Sequence, residues 1–175
     1  MPSPVGHGLA GLAAGWLVRG APHSLVAGRP AWWRDALLYG LLGMLPDIDL
    51  LFGAHSGPTH GIGAALVAVA VAWAAGAAAG GASGERVRLA LACGCAYGSH
   101  ILLDWLGTDT SAPIGIMALW PLSRQYYDSG LHVFMAVSRR YWQGGVFWRQ
   151  NLVALVRELL ILVPLLAITA RVRRR

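Results

Sequence analysis

Histidine and aspartate side chains recur at separated positions in a chain that is otherwise strongly apolar. Four of the six histidines and three of the eight acidic residues belong to this set. Divalent transition metals in proteins are commonly bound by imidazole and carboxylate groups together. Ionisable side chains at membrane depth are costly and mark functional sites by default. The set therefore predicts a metal site with these ligands: His7, Asp47, Asp49, His55, His60, His100 and Asp104.

Seven candidate ligands exceed the four that one zinc ion usually takes. A site with two ions about 3.5–4 Å apart would use them better, and a single ion is the alternative. A two-ion site activates water and stabilises both oxygens of an in-line displacement, which suits phosphoester hydrolysis. Zinc fits the ligand set, with manganese or iron as alternatives. Asp47, Asp49 and Asp104 are the catalytic candidates, as proton acceptor or bridging ligand. Asp49 and His55 could instead orient ligands without binding the metal.

The spacing of these residues indicates how the chain could bring them together. His100 and Asp104 are four residues apart, so both lie on one face of a helix. Asp47 and Asp49 follow a proline at the end of an apolar segment. His60 follows a Gly-Pro turn and begins the next apolar segment. We therefore expect the set to converge at one end of several packed helices.

The composition is that of an integral membrane protein. Hydrophobic residues make up 56% of the 175 residues and charged residues 13%, and the mean hydropathy is +0.53. Residues 60–81 contain no Asp, Glu, Lys or Arg, and about 20 apolar residues suffice to cross the hydrocarbon layer. Five apolar segments stand out, at residues 5–18, 36–52, 60–81, 88–106 and 151–170.

These segments predict an all-α, polytopic membrane bundle with four or five transmembrane or re-entrant helices. We expect residues 1–175 to form a single membrane domain. Residues 107–150, between the fourth and fifth helices, are rich in turn formers and aromatic residues. They predict an interfacial loop that lies over the site.

The positive charge is explained by membrane topology. The net charge of +6 comes from arginine alone, and most arginines lie between or after the apolar segments, so we do not expect nucleic acid as a partner. In a five-span arrangement, three arginine groups share one side, which the positive-inside rule makes cytoplasmic. The seven site residues then face the non-cytoplasmic side. The three groups are Arg19, Arg29 and Arg34; Arg86 and Arg88; and Arg171, Arg173, Arg174 and Arg175.

Several polar residues lie outside this pattern. His23 and His132 are expected to be interfacial, and Asp109 and Asp128 to cap turns in the loop rather than bind metal. Arg124, Arg139 and Arg140 could hold a phosphate or face lipid headgroups.

Four strings in the chain are similar to those of a known family. Pro-Asp-Ile-Asp, His-Ser-Gly-Pro-Thr-His, Gly-Ser-His-Ile-Leu-Leu-Asp-Trp and Ala-Leu-Trp-Pro-Leu-Ser together resemble the YdjM-like family of predicted bacterial inner-membrane metal-dependent hydrolases, over residues 5–123. The resemblance implies a multi-span membrane protein whose metal site uses the seven residues named above. Ser56 stands where the family pattern has arginine, so a substrate phosphate would need another cation. A looser similarity to zinc-dependent phospholipase C lacks that fold's later His and Glu ligands.

The leading hypothesis is a membrane-embedded hydrolase that uses one or two zinc ions at the outer face of the bacterial inner membrane. Its substrate would be a phosphoester of a lipid or lipid-linked molecule, with membrane lipids as surroundings. A metal transporter is one alternative, although it needs polar groups reachable from both faces. The segment halves remote from the set are nearly all Ala, Leu, Val and Gly. A non-enzymatic protein with a structural metal is the other alternative. The sequence does not indicate an oligomeric state.

Overall fold

The computed structural model describes residues 1–21, 31–53 and 55–173, and within them the regular structure is helical, with only isolated β-bridges. The all-α prediction is thus confirmed for this part of the chain. His23, Arg29, Arg174 and Arg175 lie outside the described residues. The helices are α1 (Pro4–Arg19), α2 (Ala31–Met44), α3 (Ile62–Ala78), α4 (Ser83–Leu106) and α5 (Gly145–Val172), with 3-10 segments at Leu45–Phe52, Pro58–His60 and Tyr141–Gln143.

Helices α1 and α4 form the centre of the bundle. Helix α4 packs against α1, α2 and α3, and α1 also packs against α2 and α5. Glycine permits the closest of these approaches. A Cβ atom on Gly11 would lie 2.3 Å from the Tyr39 carbonyl oxygen, and one on Gly43 would lie 2.4 Å from the His7 carbonyl oxygen. Small residues at such crossings let helix backbones approach closely in an apolar environment.

In the described chain, fewer helices are long and apolar enough to cross a membrane than the four or five transmembrane or re-entrant helices that the sequence predicted. Two helices, α4 with 24 residues and α5 with 28, are long and apolar enough to cross a membrane, whereas the apolar α3 has 17. Helices α1 and α2 have 16 and 14 residues. At 1.5 Å per residue they are about 24 Å and 21 Å long, short of the ~30 Å hydrocarbon layer.

The second apolar segment is shorter as a helix because of its proline. The apolar segment covers residues 36–52, but α2 ends at Met44 and the chain goes on as a 3-10 segment. Pro46 has no N–H to donate, and its ring would clash with the preceding turn of a continued α-helix. The 3-10 segment ends at Gly53, whose φ of 71° is left-handed. This break turns two aspartates towards α4.

The segment after α4 returns to the site end of the bundle. The expected loop covered residues 107–150, but α5 begins at Gly145, so residues 145–150 are helical. Three backbone hydrogen bonds hold the loop against the chain on either side of His60. The Met117 N–H donates to the Ser56 carbonyl at 2.9 Å, Ile62 to Ala118 at 2.9 Å, and Gly63 to Trp120 at 2.8 Å.

Candidate metal centre

All seven predicted site residues converge at one end of the bundle. Asp47 and Asp49 come from the 3-10 segment after α2, His60 from the short turn before α3, and His100 and Asp104 from the last two turns of α4. His7 comes from α1, and His55 from the connection between the two 3-10 segments. His7, His60 and His100 are fully buried, and Asp104 is 2% exposed.

Four of the residues have the spacing of a tetrahedral metal site, and we call them the first group. Asp47, His60, His100 and Asp104 each offer one ligand atom to a common point. Five of the six edges between these atoms measure 3.1, 3.1, 3.3, 3.6 and 3.7 Å. Metal–ligand bonds of 2.0–2.1 Å at tetrahedral angles give edges of about 3.3 Å. The first group is therefore spaced to surround one divalent ion.

Hydrogen bonds orient the two histidines of the first group. The His100 Nδ1–H donates to the Gly43 carbonyl at 2.7 Å, which leaves Nε2 to face the other ligands. His60 Nδ1 lies 3.0 Å from the Thr59 hydroxyl, and that hydroxyl donates to Asp49 at 2.9 Å. Such partners fix the tautomer and the ring orientation of a metal-binding histidine. Thr59 is itself held by its carbonyl, which accepts from the Tyr97 hydroxyl at 2.7 Å.

A second group shares two residues with the first. Asp47, Asp49, His55 and His60 also offer ligand atoms close to one another. His55 Nδ1 lies 3.5 Å from Asp49 Oδ1 and 3.9 Å from Asp47 Oδ1. Burial lowers the pKa of His55, and the nearby Arg139 guanidinium lowers it further, which favours the neutral imidazole.

His7 adjoins the first group without joining either group of four. Its Nε2 atom lies 3.3 Å from Asp104 Oδ1, on the opposite carboxylate oxygen from His60 and His100. Its ring stacks on that of His100 at a centroid distance of 3.7 Å. If Asp104 bridged two ions, His7 would lie beside the second ion. If Asp104 bound one ion, His7 would orient its carboxylate.

Unsatisfied polar atoms show that the residues fit a metal. Both ring nitrogens of His7 and both oxygens of Asp104 are buried without a hydrogen-bond partner in the described chain, as are Asp49 Oδ1 and His55 Nδ1. Buried polar groups are nearly always hydrogen-bonded, and binding of an ion is one recognised reason for exceptions. Two imidazole nitrogens facing each other at 3.1 Å, those of His60 and His100, also favour a shared cation.

Glu158 is a buried carboxylate that the sequence analysis did not include among the site residues. It is fully buried in α5 and accepts hydrogen bonds from the Ser3 backbone N–H at 2.7 Å and from the Ser3 hydroxyl. Ser3 is the N-cap of α1, so Glu158 fixes the helix that carries His7. The signal was a carboxylate within the fifth apolar segment. The partner of that carboxylate could not be deduced, because it is 155 residues away in the chain.

His132, Asp109 and Asp128, which were predicted to lie outside the metal site, belong to neither group of four. His132 is exposed. Asp109 accepts hydrogen bonds from the backbone N–H groups of Ser111 and Gly115, and Asp128 accepts one from Gly130. Both aspartates therefore stabilise turns, as predicted.

The described chain is thus a helical bundle with a buried cluster of histidines and aspartates that could bind a divalent metal. Among the described residues, two helices are long and apolar enough to cross a membrane. The chain belongs to the YdjM inner membrane protein family, whose family model matches residues 1–175, the whole chain. None of the curated proteins and none of the solved structures matches it. The family assignment establishes an inner membrane protein and leaves the reaction to be inferred from the site.

Proposed function

We propose that this protein is a membrane-embedded, metal-dependent hydrolase that acts on a phosphoester of a lipid or lipid-linked substrate. The observation that supports this most is the spacing of the first group, whose measured edges run from 3.1 to 3.7 Å. Two imidazoles and two carboxylates at tetrahedral spacing favour zinc, and the shared residues of the second group leave room for another ion. Manganese or iron would be the alternatives.

The residues differ in their suitability for binding and for proton transfer. A bound divalent ion would polarise a phosphoryl oxygen and make a water molecule more acidic. His60, His100 and Asp104 are buried and would hold the ion. The side chain of Asp47 is 21% exposed, so it lies where water can enter and would accept the proton or bridge two ions. Asp49, held by Thr59, is the other candidate for accepting the proton.

An apolar groove supports a lipid as the substrate. It has a volume of 670 Å³, runs between α2 and α3 over α4, and reaches Thr59 beside the first group. Its α3 wall extends from Ala64 to Ala75, about 17 Å at 1.5 Å per residue. One leaflet contributes about 15 Å of the hydrocarbon layer. The groove therefore fits one acyl chain of a lipid whose headgroup lies at the metal centre.

Arginine positions support a site that opens at the non-cytoplasmic face. Arg19 ends α1 and lies 3.9 Å from Glu85 near the start of α4. The Ala21 N–H donates to the Arg173 carbonyl after α5 at 2.8 Å. These groups meet at the end of the bundle remote from His100 and Asp104, which lie in the last turns of α4. By the positive-inside rule the arginine end is cytoplasmic, and the metal centre is on the outer side.

A purely structural metal is the second candidate. The near-complete burial of His60, His100 and Asp104 favours it, because a structural ion is closed off by protein ligands whereas a catalytic ion keeps one position open. X-ray absorption spectra of the metal-loaded protein separate the two, since a water ligand is expected only for the hydrolase.

The test of the proposal combines metal analysis with an activity assay. The protein is purified in detergent, its metal content is measured by elemental analysis, and long-chain phospholipid phosphoesters are offered as substrates. We expect His60→Ala, His100→Ala and Asp104→Ala each to lose both metal and hydrolysis. His132→Ala, at an exposed histidine outside both groups, is the matched control and should retain both. Metal and activity that survive in the three variants would contradict the proposal.

The groove has its own test. Val71 lines it and is 63% exposed, whereas Val163 on α5 is 46% exposed and does not line it. Val71→Phe should raise KM for a long-chain phosphoester several-fold by filling the groove, and should leave a short-chain substrate and the metal content unaffected. Val163→Phe should change neither. Equal effects on long and short chains would rule out the groove as the acyl-chain site.

A further inference from the structure

A polar cavity lies beside the more exposed edge of the metal centre. It has a volume of 270 Å³ and is lined by side chains of the connection before His60, of the loop after α4 and of α5. The lining residues that matter here are His55, Asp109, Arg139, Arg140 and Gln150. The two guanidinium groups outnumber the one carboxylate of the lining, Asp109, whose oxygens accept two backbone N–H groups, so the net charge of the lining is positive.

Arg139 connects the cavity to the metal centre through one imidazole. Its Nη2 atom lies 3.3 Å from His55 Nε2, and the other nitrogen of that ring lies 3.5 Å from Asp49. A guanidinium group stays protonated and only donates hydrogen bonds. His55 Nε2 therefore accepts this hydrogen bond, and the ring proton is on Nδ1, which faces Asp49. In this arrangement His55 orients Asp49 and does not bind the metal itself.

The two guanidinium groups have unused hydrogen-bonding capacity. Within the described chain neither Arg139 nor Arg140 forms an ion pair with a carboxylate, and both side chains are exposed at the cavity. Each guanidinium offers a planar fork of donors that matches two oxygens of a phosphate. Phosphate is also the group whose ester bond would have to approach the metal centre.

We infer that Arg139 and Arg140 form an anion subsite that holds a phosphate group beside the metal centre, with Arg139 as the principal contact. This inference rests on the proposed function for its substrate, and it deepens that function by naming the residues that position the phosphate. The phosphate could belong to a lipid headgroup or be free inorganic phosphate, since both present the same oxygens. The subsite binds and orients the phosphate, and it contacts the metal centre through His55.

The experiment measures binding of inorganic phosphate to the purified, metal-loaded full chain by isothermal titration calorimetry. Arg139→Gln should weaken phosphate binding about tenfold or more, because a charge-assisted hydrogen bond is lost. Arg139→Lys should recover part of the affinity, and the metal content should stay unchanged in both. Arg124→Gln is the matched control, since Arg124 is an exposed arginine of the same loop that does not line the cavity.

The same variants distinguish failure of the subsite from failure of the hydrolase. Phosphate binding that depends on Arg139 in a protein that hydrolyses no phosphoester supports the subsite and contradicts the proposed reaction. Hydrolysis with an unchanged KM in Arg139→Gln, together with unchanged phosphate affinity, overturns the subsite and leaves the hydrolase intact. A titration with a short-chain phosphatidic acid in detergent identifies the lipid source if it binds more tightly than inorganic phosphate and with the same dependence on Arg139.

Discussion

Two buried carboxylates, Asp104 in α4 and Glu158 in α5, have opposite surroundings. Asp104 is 2% exposed and Glu158 is 0% exposed. Glu158 accepts two hydrogen bonds from Ser3. Both oxygens of Asp104 lack a hydrogen-bond partner in the described chain and face three histidines at 3.1–3.3 Å. Burial alone therefore does not identify a functional carboxylate, whereas buried oxygens without hydrogen bonds among imidazoles indicate a site that fits a cation.

The Glu158 region explains how the Asp104 region is held in place. Helix α1 begins at its cap on Ser3, and His7 lies one turn later, with its N–H donating to the Ser3 carbonyl at 3.0 Å. Gly6 lies between them, and a Cβ atom there would be 2.7 Å from Glu158 Oε2. The carboxylate of α5 thus fixes the start of the helix whose histidine contacts Asp104.

The largest expected effect is on metal binding by Asp104→Asn. The amide keeps the size of the side chain but removes the negative charge and one acceptor oxygen. Metal affinity should therefore fall at least ~100-fold, because even residues that only hydrogen-bond to metal ligands cost up to that much when they are mutated. Competition with a chromogenic chelator measures it. Asp109→Asn, at a turn-capping aspartate outside both groups, is the control. A near-native metal affinity of the Asp104→Asn variant would contradict the assignment of Asp104 as a metal ligand, and Asp104 would then be a structural carboxylate like Glu158.

Glu158→Gln should show the converse behaviour. An amide NH2 group would face one of the Ser3 donors, so the free energy of unfolding should fall by about 1.5–3 kcal/mol, the value of a hydrogen bond to a charged group. Metal stoichiometry should remain that of the unmodified chain. Thermal unfolding in detergent gives the stability, with the exposed Glu85→Gln as reference. Loss of the metal without loss of stability would place Glu158 in the metal centre instead.

The smallest of these effects comes from the contact between α1 and α2, which Gly43→Ala would perturb. Its Cβ would meet the His7 carbonyl at 2.4 Å, and the Gly43 carbonyl also orients His100. Overpacking of this kind costs about 1–3 kcal/mol, and we expect a weaker metal affinity alongside it. Gly40→Ala is the matched control on the same helix, because its Cβ would come no closer than 3.7 Å to Gly8. If both variants unfold at the same temperature, the close crossing does not position the site.

The site was more predictable than the span count, for a physical reason. Histidine and aspartate are rare in apolar segments, so each one is informative without knowledge of the fold. Helix length depends on where a helix stops, and an apolar segment can continue past that point. Beyond Pro46 apolar residues continue as far as Phe52 around the two aspartates, while the backbone changes to a 3-10 segment, so hydropathy alone overestimates the length of the second helix.

Composition and local spacing are enough to predict the all-helical class, the apolar character and the residue types available to a metal. The tertiary fold is needed to know which atoms meet. It joined Asp47 and His60 to both groups, paired Glu158 with Ser3, and brought Arg139 to His55 across 84 residues. Such contacts depend on helix crossings and loop docking, which are set by packing of the whole bundle rather than by any local pattern.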